Sequence, residues 1–213
     1  MLVKICGLTT VEAAVTAAES GADFIGFVFA ESKRQISPLD AAKIAASLPS
    51  SVKKIGVFVN ETVNNILEIA DMVGLDMIQL HGDEPPEMIE QLPYRIIKAI
   101  PAKEEQLQKI SHYSLADYYL IDSPFGKARG GNGTTFNWDT ITDLPIDRSK
   151  LLLAGGLHAG NVQEAIHKVH PAGVDVSSGV ETDGIKDQQK IKDFIKQAKS
   201  AERMNSFDNI YHA

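Results

Sequence analysis

The chain has 213 residues, 44% hydrophobic and 23% charged, with 28 acidic against 21 basic groups and a formal net charge of −7. That is enough apolar mass for one sizeable core, and the acidic balance argues against a nucleic-acid binder, which needs a basic face to displace counterions. A single cysteine, Cys6, excludes an internal disulfide framework and a cysteine-based metal cluster. No run reaches the ~18 apolar residues of a membrane span, and the first residues read as a strand rather than a signal peptide, so a cytoplasmic protein is expected.

Short β-rich apolar runs recur along the whole chain with helix-like segments between them. The predicted strands are Leu2–Cys6, 24–29, 52–59, Met77–Leu80, 95–100, 118–121, 151–154 and 173–177. Most are continuously apolar, as parallel strands buried on both faces must be. The predicted helices are 12–20, opened by a capping box at Thr9-Thr10-Val11-Glu12, then 39–48 after Ser37-Pro38, and 60–73, closed by Gly74. A short helix follows Pro85-Pro86, then come 102–113, 159–169 and 187–201; the segment 137–147 has room for only a short one. Eight βα units without a linker or composition break predict a single-domain (β/α)8 barrel of the TIM type over residues 1–213, with 203–213 a loose tail. An open doubly wound sheet is the other arrangement, but no Gly-x-Gly-x-x-Gly follows the first strand.

A barrel places its chemistry in the loops after the strands. Those loops hold Cys6-Gly7, Ser32-Lys33-Arg34, His81-Gly82, Asp122-Ser123, Gly155-Gly156 and Ser177-Ser178-Gly179. The last two follow adjoining strands, with glycines that allow close backbone approach and serines that add hydroxyl donors, a pattern suited to phosphate. A lone cysteine is usually a buried hydrophobe, yet Cys6 ends a strand at the mouth. Lys4 shares its face, ~7 Å back along the strand, where an ammonium would lower the thiol pKa. Asp122 ends an otherwise apolar strand; it reads as a turn residue, or as a partly dehydrated carboxyl that keeps its proton and acts as a general acid. Arg34 is a solvated loop charge or a fork for a substrate carboxylate. His81 fits a structural histidine, a cap or a sugar contact, and with no second histidine nearby no metal site is expected. The glycine-rich segment 126–135 is not a P-loop and has the composition of a lid or of a plain surface loop.

The stretches Val3-Lys4-Ile5-Cys6-Gly7-Leu8-Thr9, Gln79-Leu80-His81-Gly82-Asp83-Glu84, Leu120-Ile121-Asp122, Gly130-Gly131-Asn132-Gly133-Thr134-Thr135, Leu153-Ala154-Gly155-Gly156-Leu157 and Gly173-Val174-Asp175-Val176-Ser177-Ser178-Gly179-Val180-Glu181 together resemble phosphoribosylanthranilate isomerase. The resemblance runs over nearly the whole chain. It implies a barrel that carries out an Amadori rearrangement in tryptophan biosynthesis without a cofactor. The implied general base is Cys6 and the implied general acid Asp122, with Arg34 on the anthranilate carboxylate. The implied phosphate site is Gly155, Gly156, Ser177, Ser178 and Gly179, with Asp175 just before it. The implied partner is a small phosphosugar, and the family includes monomers and homodimers. Two other readings are a phosphosugar-binding barrel without turnover and an aldolase-like barrel with Lys98 as Schiff-base lysine.

Overall fold

The structure is a computed structural model; it describes residues 1–123, 137–142, 144 and 146–208, with backbone alone for 202–208. The predicted lid at 126–135 and the last residues of the predicted tail lie outside the described residues.

Eight strands, β1 (Leu2–Cys6), β2 (Phe24–Val28), β3 (Lys53–Phe58), β4 (Met77–Leu80), β5 (Arg95–Pro101), β6 (Tyr118–Asp122), β7 (Leu151–Leu153) and β8 (Gly173–Val176), pair in parallel and in chain order. β1 also pairs with β8, which closes the barrel. The helices α1 (Val11–Glu19), α2 (Pro38–Ala45), α3 (Val63–Val73), α4 (Glu104–Leu107), α5 (Asp139–Thr142), α6 (Val162–Val169) and α7 (Gln188–Asp208) alternate with them. A small antiparallel hairpin, β9 (Glu181–Thr182) and β10 (Ile185–Lys186), leaves the top of β8.

Strand parity divides the core in two. Val3, Ile25, Ile78, Ile96, Ile121, Leu153 and Val174 face outward into the layer shared with the helices. Phe24, Ile55, Met77, Ile97, Leu120 and Leu152 fill the lumen. The barrel is therefore a packed core rather than a pore.

Local signals set the element ends. The Ser37 hydroxyl accepts from Asp40 N at 3.1 Å with Pro38 at the first helical position, and Gly74 ends α3 at φ 68°. Thr10, rather than Thr9, caps α1, accepting from Ala13 N, so the predicted capping box is displaced by one residue. At the bottom rim a device recurs: Asp23, Asp76 and Asp117, each just before β2, β4 and β6, accept the N–H of Val3, Lys54 and Ile96 on the preceding strand. These carboxylates satisfy rim amides that the ladder leaves open.

The predicted helix 102–113 is instead α4 followed by a separate 3-10 turn, Ile110–Tyr113. Only Leu107 and Ile110 of this stretch are buried; their three-residue spacing suits the tighter turn, and no apolar stripe sustains an α-helix. α7 continues past the predicted end at Ala201 to Asp208, into the segment expected to be loose.

Candidate active site

The site begins in the lumen. Lys4, fully buried, projects inward from β1 and donates to Asp175 Oδ1 of β8 at 2.9 Å. The two are directly opposite in the β1–β8 register. Burial works against the Lys4 charge, but Asp175 and Cys6 more than offset it and hold its pKa above the ordinary value. Asp175 is thus an ion-pair partner in the barrel interior as well as part of the cleft wall.

One layer above, Cys6 points the same way. It lies against Gly26, its register partner: a Cβ on Gly26 would fall 2.9 Å from Cys6 Sγ and 3.2 Å from Lys4 Nζ. The bare glycine makes the space in which thiol and ammonium meet. Lys4 does pull the thiol pKa down, as strand parity predicted, but burial outweighs it and the pKa stands above its ordinary value. The expected net lowering is thereby corrected: the cysteine is 8% exposed, and a single ammonium does not replace its lost hydration.

Asp122, at the end of β6, is 5% exposed. Burial, and then the neighbouring Asp175 charge, raise its pKa from 3.8 to about 6, although Ser123 N and Oγ donate to its Oδ1. Its Oδ2 is 3.8 Å from His81 Nε2. Gln79 Nε2 lies 2.7 Å from His81 Nδ1; with the amide as donor, Nδ1 accepts and the ring proton sits on Nε2, toward Asp122. His81 is therefore a neighbour of the acid, oriented by a glutamine two residues earlier.

Beside Asp122 opens a small, shallow cleft lined by Gly155, Gly156, Asp175, Ser177 and Ser178. Gly155 (φ 88°) and Gly156 (φ 62°) turn through the left-handed region. A Cβ on Gly155 would stand 2.5 Å from Ser123 N, so that turn packs directly against the residue after the acid. Gly179 likewise lies flush against the Leu157 carbonyl, which joins the loops after β7 and β8 into one concave wall.

Arg34 lies over the turn after Cys6: its Cδ would be 2.6 Å from a Cβ on Gly7 (φ 75°). Its Nε and Nη2 donate to the two oxygens of Glu181, at 2.6 and 2.9 Å. Lys186 Nζ donates to Glu181 Oε1 at 2.7 Å and to the Ser177 carbonyl at 2.8 Å, while Ser177 Oγ donates to the Cys6 carbonyl. Glu181, Lys186, Gly26 and Gln79 had no standing as site residues in the sequence. Glu181 closes the Ser-Ser-Gly-Val-Glu stretch, but its contact with Arg34 spans 147 positions and has no local signal.

Lys98 does not enter the lumen. It shares the outward face of β5 with Ile96 and Ile100, and its ammonium is held by Glu84 at 2.6 Å and the Gly82 carbonyl at 2.8 Å. A buried, paired ammonium on the helix side of the sheet is no Schiff-base nucleophile for a substrate at the mouth. Among the described residues, no group of three His, Cys, Asp or Glu side chains could hold a metal, and no helix is long and apolar enough to cross a membrane.

Residues 3–197 match the family model described as N-(5'phosphoribosyl)anthranilate (PRA) isomerase. The N-(5'-phosphoribosyl)anthranilate isomerase of Oceanobacillus iheyensis is 54% identical over 92% of this chain and 95% of its own. The crystal structure of the Thermotoga maritima phosphoribosyl anthranilate isomerase superposes with a TM-score of 0.86 at 43% identity, covering 94% of this chain and 99% of that one. A phosphoribosyl anthranilate isomerase in complex with reduced 1-(o-carboxyphenylamino)-1-deoxyribulose 5-phosphate gives 0.83 at 42%, over 94% and 99%. With its closed eight-stranded barrel and its sequence in step with these proteins over nearly the whole length, the chain belongs to the N-(5'-phosphoribosyl)anthranilate isomerase family.

Proposed function

We propose that the barrel mouth carries out the family's isomerisation, of N-(5'-phosphoribosyl)anthranilate to 1-(2-carboxyphenylamino)-1-deoxyribulose 5-phosphate, with Asp122 as general acid and Cys6 as general base. The observation that carries this reading is a carboxyl whose pKa of about 6 leaves it able to hold a proton near neutrality, in the same lumen and the same Lys4 field as a thiol. Asp122 protonates the furanose ring oxygen, and the C1–O bond opens to an iminium. That cation acidifies the C2–H, so a base of modest strength suffices. The Cys6 thiolate takes the C2 proton, and the resulting enolamine tautomerises to the ketone. Ser123 N and Oγ hold the Asp122 carboxyl by its Oδ1, and His81 Nε2–H beside it is a donor for a sugar oxygen.

The phosphate belongs in the cleft between Gly155-Gly156 and Ser177-Ser178-Gly179, where left-handed glycines expose backbone N–H groups and the serines add hydroxyls. Arg34 takes the anthranilate carboxylate. The reaction needs no cofactor, since protonation and deprotonation account for every step. The working partner is the phosphosugar alone, in the cytoplasm. Residues 1–213 form one functional domain, as a monomer or as a homodimer like the dimeric Thermotoga maritima enzyme.

The test is a fluorescence time course on freshly generated phosphoribosylanthranilate. Cys6→Ala and Asp122→Asn should each cut kcat by about 10²–10⁴ with little loss of binding, and Arg34→Met should mainly raise KM. A Cys6→Ala protein with near-full turnover overturns the base assignment. Saturable binding by the unaltered protein without decay of substrate fluorescence favours a phosphosugar sensor.

A further inference from the structure

We propose that Glu181 and Lys186 are positioning residues, and that the β9–β10 hairpin is a bracket fixing Arg34 and Ser177 at one spacing, so that the carboxylate and phosphate ends of the substrate are gripped together. The inference rests on the reading of Arg34 as the carboxylate ligand and adds what aims it. Arg34 comes from the loop after β2, where nothing in the local sequence would hold a long flexible side chain still. Glu181 supplies that constraint from the far end of the chain, with two oxygens on the Nε and Nη2 edge of the guanidinium. A fork-to-fork contact fixes the plane of the group as well as its place, and leaves the Nη1 side to meet a ligand. The Arg34 stem rests on Gly7, so the guanidinium is indexed to the backbone that follows Cys6.

Lys186 ties this contact to the other half of the site. Its ammonium bonds Glu181 Oε1, the Ser177 carbonyl and, at 3.3 Å, Ser177 Oγ. The Glu181 and Lys186 side chains are 7% and 5% exposed. Ion pairs on the open surface contribute little, but a desolvated bidentate pair holds its geometry. The charge count also fits an anion: two cations against one carboxylate leave one positive charge, which a substrate carboxylate neutralises. The bracket reaches the backbone of the base through Ser177, whose Oγ donates to the Cys6 carbonyl.

The decisive comparison uses two ligands, the reduced product analogue with its ring carboxylate and the same molecule made from aniline, without it. Their affinities are measured on the unaltered protein and on Arg34→Met, Glu181→Gln, Lys186→Met and Lys186→Arg, with inorganic phosphate as a competitor and with KM and kcat alongside. Glu181→Gln removes a negative charge, which would by itself tighten the carboxylated ligand, so the bracket is read from the opposite outcome. We expect a loss of about tenfold, ~1.4 kcal/mol, in affinity for that ligand alone, with KM raised and kcat within about threefold. Lys186→Met should weaken the carboxylated ligand and inorganic phosphate together, and Lys186→Arg should restore much of the loss. If Arg34→Met keeps the preference for the carboxylated ligand, the carboxylate reading itself fails and the bracket with it. If Arg34→Met loses the preference while Glu181→Gln keeps it, or weakens both ligands equally, only the bracket is overturned.

Discussion

At pH 7 most barrel mouths hold an ionised Asp122, which titrates near 6, and a protonated Cys6, whose pKa burial raises; the acid–base chemistry needs the opposite pair of forms. Only a minority of molecules carries the productive pair, and its share sets the pH profile. Between the two pKa values each tenfold gain in thiolate is cancelled by a tenfold loss of protonated Asp122. kcat/KM should therefore rise up to about pH 6, stay level, and fall only above the Cys6 pKa. The residual activity of Asp122→Asn should climb through pH 6 without a break; a break that persists there belongs to the substrate phosphate. Lys4→Met should move the Cys6 pKa further up, read from the pH dependence of its alkylation by iodoacetamide, since Lys4 is the group that most lowers it. An unchanged value would rule out Lys4 as a tuner of the base. Strand parity alone was enough to put Lys4, Cys6 and Asp122 in one lumen. It could not weigh burial against a neighbouring charge, nor show that Asp175 would pair with Lys4 while raising the pKa of Asp122, because those fields sum across three strands, β1, β6 and β8.

Among the elements, the strands and their loops were the legible part, since β1 and β4 coincide with the predicted runs and Gly155-Gly156 sits where the loop after β7 must turn. Close approaches between loops were not legible. Gly155→Ala illustrates the difference: a left-handed φ of 88° and a Cβ only 2.5 Å from Ser123 N should cost about 1–3 kcal/mol and displace Asp122. A lowered Tm with both kcat and KM impaired is the expected result; unchanged kinetics would separate the turn from the acid. Lys98 was the misleading residue of β5, because a lysine in an apolar strand reads as a nucleophile until its face is known. Its pairing with Glu84 predicts that Lys98→Met destabilises the protein by about 3–5 kcal/mol, by stranding a buried carboxylate. Denaturant unfolding measures this. Borohydride with substrate should trap no adduct on the unaltered protein. The helical layer was less legible than the strands, as the split of 102–113 into α4 and a 3-10 turn shows: a mostly polar run with two anchors specifies a covering, not a helix type.

For the molecule as a whole, a ligand that bridges loops from β2, β7 and β8 should stabilise the entire cooperative unit. The reduced product analogue at a hundredfold its Kd should contribute about 2.7 kcal/mol, and at this chain length raise Tm by about 5–10 °C. An unmoved Tm at saturation would mean that the ligand does not engage the folded barrel. Barrel order and closure were both expected from eight repeated βα units, whereas the contacts that join the two ends of the chain were not legible. That closure has a consequence in time. The base stands on the first strand, whereas its ion-paired neighbour Asp175, the serines of the anion cleft and the Glu181–Lys186 hairpin all follow from the last. Lys4 and Asp175 are 171 positions apart, and Lys199 of α7 reaches back to the Met1 carbonyl. A growing polypeptide can form β1, α1 and β2 early, but the thiol then lies on an open sheet with no anion site beside it. The full set of site residues can meet only once β8 and the hairpin after it have been made, and a copy that ends before β8 lacks Asp175, the serines of the cleft and the partners of Arg34.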